Sequence, residues 1–184
     1  NDINSQEYEF NISVKEDSIE DLEKEFEKSG DISIYDKQIE IYTSLIADAQ
    51  DEINRLLYLG YSKESDEIQE LMEQIDGYVD SIADIWEKQT DVIKDNVDEQ
   101  IEALNRLIEN SGDLTLYSDV IDVYKKGQEE IAKRISFYKK KGYAEDSQII
   151  KALQKQWDEY QDSIYDTYEE HVNAQVEAYS DAIN

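Results

Sequence analysis

The chain is expected to be all-α, built from tandem long antiparallel helical hairpins in a coiled-coil-like, staggered and elongated bundle. Three observations carry that expectation. First, 184 residues contain no proline, the residue that loops and edge strands tolerate and helix interiors do not. Second, the sequence repeats itself without gaps. Ser29-Gly30-Asp31 followed by Tyr35 returns as Ser111-Gly112-Asp113 followed by Tyr117, 82 positions later. The same offset carries Gly60-Tyr61 to Gly142-Tyr143, Ser65 to Ser147 and Gln74 to Gln156. Such self-similarity marks an architecture of stacked units. Third, apolar residues between the turns alternate in steps of three and four, which is the seam of helices packed side by side.

Taken in order, residues 1–14 are expected to be an irregular or short extended arm, because Tyr8-Glu9-Phe10-Asn11-Ile12 alternates with the period of a strand. A helix over 15–28 follows. Its Ile19, Glu20 and Leu22 recur as Ile101, Glu102 and Leu104, so the repeating unit begins before the Ser-Gly-Asp turn. Helix 32–59 carries the seam Tyr35, Ile39, Tyr42, Ile46, Ala49, Ile53, Leu56. Helix 63–110 carries Ile68, Leu71, Ile75, Tyr78, Ile82, Ile85. Helix 114–141 repeats the first of these seams as Tyr117, Ile121, Tyr124, Gln128, Ile131, Ile135, Tyr138, with one polar intruder. Helix 145–183 repeats the second as Ile150, Leu153, Trp157, Tyr160, Ile164, Thr167. The expected division is an arm (1–14), a first repeat (15–110) and a second repeat (111–184).

Helix ends agree with these spans. Gly30, Gly60, Gly112 and Gly142 sit at the repeated turns, and Gly60 and Gly142 suit the left-handed position just past a helix C-terminus. Ser62 is the expected cap of the helix that follows, and Ser33 with Asp36 gives a capping-box pattern. Glu64 and Asp66, or Glu145 and Asp146, would set negative charge against a helix N-terminus. Gly77 and Gly127 stand isolated inside helical patterns. The two helices of a hairpin are unequal, about 28 and 47 residues, or roughly 42 and 70 Å. If every turn reverses direction, the longer helix overshoots and packs on the start of helix 114–141. Each repeat then advances a rod by roughly 28 Å.

Composition narrows function. Forty-six acidic against eighteen basic residues give a net charge of −28, which repels polyanions and leaves no basic face for nucleic acid. Cysteine is absent, so neither disulfides nor thiolate metal sites are available. No apolar run approaches the roughly 18 residues of a membrane span. His171, the single histidine, stands at the position equivalent to Gln89 and is expected to set register or face solvent, since one histidine builds neither a triad nor a zinc site. Acidic pairs such as Glu16-Asp17, Glu20-Asp21 and Glu169-Glu170 are too numerous to single out, and no calcium-loop or phosphate-loop pattern occurs. Fourteen tyrosines beside three phenylalanines suit a thin bundle, where a ring is buried while its hydroxyl reaches water. Trp86 and Trp157 are not equivalent to each other. Tyr168 takes the place of Trp86, and Ile75 that of Trp157. No catalytic, cofactor-binding or metal-binding residues are expected.

The segments Gly60-Tyr61-Ser62-Lys63-Glu64-Ser65-Asp66-Glu67-Ile68-Gln69-Glu70-Leu71 and Gly142-Tyr143-Ala144-Glu145-Asp146-Ser147, continuing through Leu153-Gln154-Lys155-Gln156-Trp157, resemble repeats in tail tape measure proteins of bacteriophages and prophages of gut Firmicutes. The resemblance covers roughly residues 29–168. It implies a long helical protein that fills the tail tube during assembly, sets tail length and leaves through the tube when DNA is delivered. Its partners would be tail tube or assembly proteins, or further copies of itself. Its setting would be the host cytoplasm during assembly and then the virion tail. No enzymatic residues come with the repeat. The hydrophobic segments and appended hydrolase domain of whole tape measure proteins are not matched here, so the resemblance implies an excerpt. The alternative from the residues alone is a helical protein-binding module or surface stalk, with a homo-oligomer formed through an unpaired seam.

Overall fold

Glycine sets where the helices stop. Gly30, Gly60, Gly112 and Gly142 have φ of 64°, 94°, 66° and 97°, a region where an L side chain is strained. Five helices are laid out between these turns in the computed structural model, which describes residues 3–184: α1 (Ile3–Ser29), α2 (Ser33–Tyr58), α3 (Asp66–Ser111), α4 (Leu116–Lys140) and α5 (Gln148–Ile183). The chain is all-α with antiparallel hairpins, and no strand occurs among the described residues.

Two kinds of turn alternate, each kept across the repeat. Gly30 donates its N–H to the Phe26 carbonyl at 2.8 Å, and Gly112 donates to Ile108 at 2.8 Å. At the other turn Tyr61 donates to Leu56 (3.1 Å) and Gly60 to Leu57 (3.0 Å). Tyr143 and Gly142 do the same to Tyr138 and Lys139, each at 3.1 Å. That pair of crossed bonds satisfies the last carbonyls of a helix.

Helix starts differ from expectation. Ser62 does not cap α3; its Oγ accepts the Glu64 N–H at 3.1 Å and donates to the Glu64 carboxylate at 2.6 Å, closing a local turn. α5 is capped by Ser147, extended at φ −63° and ψ 149°, whose Oγ accepts the Ile150 N–H. Ser65 occupies the same place immediately before α3. The Ser33 and Asp36 capping box does not form either. Asp31 Oδ1 accepts the Ser33 N–H at 2.9 Å, and Asp113 Oδ1 accepts from Thr115 through both N–H and hydroxyl.

The expected N-terminal arm is also corrected, because α1 begins at Ile3. Asn1 and Asp2 lie outside the described residues. The period-two alternation of Tyr8, Phe10 and Ile12 hides a helical stripe. Tyr8, Ile12, Lys15, Ile19, Leu22 and Phe26, in steps of three and four, are at least partly covered, while Phe10 faces water.

The chain forms two compact units, residues 1–89 and 90–184, dividing inside α3 rather than at the expected boundary near residue 110. In the first unit α1 and α2 run antiparallel, held by Lys15 to Ser44 and Asp48, the Gln38 amide to the Ile19 carbonyl, and Phe26 against Tyr35. The first part of α3 returns along both. Leu45 with Ile12, Ile19 and Tyr78 forms one core, and Ala49 and Leu56 with Ile68 and Leu71 a second. In the second unit the last part of α3 plays the role of α1. Its buried Val97 and Ile101 join Val120, Ile121 and Ile131 of α4 and Ile150, Leu153, Tyr160 and Ile164 of α5. Each unit is therefore three helices rather than a bare hairpin. The buried positions Ile85, Gln89, Ile93, Val97 and Ile101 advance in steps of four where α3 leaves one unit for the next, so its covered stripe drifts around the helix.

Candidate interaction surface

The seam residues fall where spacing placed them, though unequally deep. Ile39, Ile68, Ile82, Ile131, Tyr138 and Leu153 are almost fully covered. Tyr35, Leu71, Tyr78, Ile121, Ile150, Tyr160 and Ile164 are buried. Tyr42, Ile53, Tyr117, Tyr124, Ile135 and Trp157 are half-buried. Tyr61 stays exposed beyond its turn, whereas Tyr143 packs edge-on against Tyr138 with centroids 5.4 Å apart.

The tyrosines form the same constellation twice. Tyr42 and Tyr78 meet at 5.9 Å, and their counterparts Tyr124 and Tyr160 at 6.0 Å, both pairs tilted. An acid from the unit's first helix sits beside each. Tyr78 donates its hydroxyl to Glu16 at 3.1 Å, and Asp98, 82 residues after Glu16, faces Tyr160. Burial, then the carboxylate, pushes Tyr160 up to about 12, and the same two causes push Tyr78 up as well. Tyr8, which donates to Gln74 at 2.9 Å, is also pushed up to about 12 by burial and by Glu52 and Asp48. Tyr8 and Tyr78 are held neutral and serve as fixed donors, whereas the Tyr160 hydroxyl is buried without a hydrogen-bond partner among the described residues.

Two equivalent seam positions differ in chemistry. Gln89 is 1% exposed and donates to the Ile32 carbonyl (3.4 Å) and the Asp36 carboxylate (3.0 Å). His171 instead stacks on Tyr117 at 5.1 Å. Both positions tie a unit's third helix to the start of its second, which agrees with the expected register role.

One stripe that sequence reasoning missed runs along α5. Tyr165, Tyr168, Val172, Val176, Tyr179 and Ile183 are all exposed, and their steps of three and four place them on one helical face. The signal was present in the sequence. The seam was followed only as far as Thr167, and the stripe lies to one side of it. A cavity of about 580 Å³ in the first unit is lined by Ser5, Tyr8, Glu52, Arg55 and Glu67 among others. Arg55 is engaged there by Glu52 at 2.7 and 2.9 Å and by Ser5 at 3.0 Å. Among the described residues no group of three or more histidines or carboxylates is placed to hold a metal ion, and no helix is long and apolar enough to cross a membrane.

Set beside known proteins, the chain matches no family model, no curated protein and no solved structure.

Proposed function

We propose that the chain is a structural helical repeat segment of a phage tail tape measure protein, acting as a spacer and assembly scaffold without catalysis. The observation that supports this most is the shared helix. α3 supplies the third helix of one unit and the first of the next, so units can be added every 82 residues without a break. The number of units is then what such a repeat protein can vary, one 82-residue step at a time. A charge of −28 suits a protein that lies beside DNA in a tube without adhering to it. On this reading the chain works in the host cytoplasm during assembly and then in the virion tail, against tail tube or assembly proteins.

A second reading, a protein-binding or stalk module, draws on the exposed tyrosines of α5. One experiment separates them: excise Tyr61–Gly142 in frame from the parent gene and measure tails by electron microscopy. Uniformly shorter tails are expected. Unchanged tails, or no tail structure associated with the gene, would leave the binding module.

A further inference from the structure

The same positions of the repeat are buried in one place and bare in another. Val97 and Ile101 of α3 are 5% and 9% exposed. Their counterparts 82 residues on, Tyr179 and Ile183 of α5, are 73% and 83% exposed. What covers the first pair is known. Val97 lies against Gly127 of α4, and Ile101 lines a cleft with Tyr117, Val120, Ser163 and Thr167 of α4 and α5. Of the counterpart's buried apolar positions, Val97 and Ile101 stay apolar as Tyr179 and Ile183 while Ile93 becomes Gln175, and Val172 and Val176, which stand where the first copy has Thr90 and Lys94, add to the apolar face. Over residues 172–184 the uncovered segment carries only two charged side chains, Glu177 and Asp181, in a chain otherwise crowded with acid.

We infer that residues 172–183 are the first helix of a further three-helix unit, and that the occupant of this face is a helical hairpin of the same repeat. That occupant is two antiparallel helices with the seams of α4 and α5, joined in the register of direct continuation from α5. A second copy of the chain is not the occupant. Within each copy α2 and the first part of α3 are covered by α1, and α4 and α5 are covered by the last part of α3. A second copy therefore brings no vacant hairpin. The inference rests on the internal repeat and not on the tape measure reading, and it survives or fails independently of tail length.

The test uses the full chain and a version with residues 103–171 appended directly after Asn184, which continues the 82-residue register. Amide hydrogen exchange is followed over 172–183 in both. In the unextended chain these amides should exchange fast and the protein should sediment as a monomer. In the extended chain they should slow on the order of 100-fold, toward the protection of residues 90–101. Tyr179→Asp should abolish that slowing in the extended chain and leave the unfolding midpoint of the unextended chain unchanged. An appended hairpin that stays unfolded, or folds without protecting 172–183, overturns the inference. So does self-association of the unextended chain that Tyr179→Asp removes, which would make a second copy the occupant.

Discussion

Two helical glycines with opposite surroundings give a sharp test of how the repeat is packed. Gly77 in α3 has nothing within 4 Å of where a Cβ would stand, whereas a Cβ on Gly127 in α4 would lie 2.9 Å from both Tyr160 Cε2 and Val97 Cγ2. In a helix interior, alanine is better than glycine by about 1 kcal/mol. Gly77→Ala should therefore stabilise the protein by about that amount. At Gly127 the same gain is opposed by overpacking, typically about 1–3 kcal/mol, because a tyrosine ring and a β-branched valine have little freedom to move aside. The net expectation for Gly127→Ala is a loss of about 1 kcal/mol. Leu45 occupies the equivalent position in the first unit and is fully buried. It is accommodated because Lys15, reaching out to Ser44 and Asp48, stands where the second unit has Val97. Urea unfolding followed by circular dichroism, with the denaturant slope checked for each variant, reads both changes. If Gly127→Ala stabilised as much as Gly77→Ala, the close packing of α3, α4 and α5 around Gly127 would be refuted.

Two further outcomes follow from the buried polar groups. Tyr8 and Tyr160, pushed up to about 12 in the fold, ionise in the unfolded chain near 10. Their contribution to stability is therefore complete below about pH 10 and is lost as pH rises from 10 through 12. The urea midpoint should fall across that window, and Tyr8→Phe with Tyr160→Phe should flatten the fall; an equally steep fall in the double variant would contradict it. Gln89→Leu removes the amide's bonds to the Asp36 carboxylate and the Ile32 carbonyl and, because one acceptor is charged, should cost about 1–3 kcal/mol, read from the same unfolding curves. A neutral result would show that the amide is not holding α3 to the start of α2.

Much of this fold was legible because helices with few loops leave strong traces. The glycine turns, the two seams and the 82-residue offset all follow from positions such as Gly60, Tyr78 and Ile131. What escaped has physical reasons. A heptad seam describes one helix against one neighbour, yet α2 and α4 each face two. Their second stripes, Gln38 and Leu45 in one and Val120, Gly127 and Arg134 in the other, are buried beside the seam in steps of seven. Those stripes announce the third helix of each unit, and the hairpin reading passed over them. The N-terminal arm was misread because alternation over five residues suits a strand and is also compatible with one turn of helix on which Phe10 points outward. The start of α3 was misplaced by three residues. Ser62 precedes an acidic turn as well as Ser65 does, and only backbone geometry shows that the helix waits until Asp66. The α5 stripe went unread because most of it, Tyr168 to Ile183, lies beyond the last seam position that was matched.

The central claim is that one unit's helices can stand in for the other's. Its most direct test joins Gly60 to Tyr143, removing 82 residues and leaving α1, α2 and α5 as a single hybrid unit across a preserved glycine-tyrosine turn. The account predicts a helical chain that unfolds in one cooperative transition, with Tyr160 still ionising well above an ordinary tyrosine because it now sits against Tyr42 and Glu16. A chain without a cooperative transition, or a helical one in which Tyr160 titrates like an exposed phenol, would contradict the equivalence of the two units.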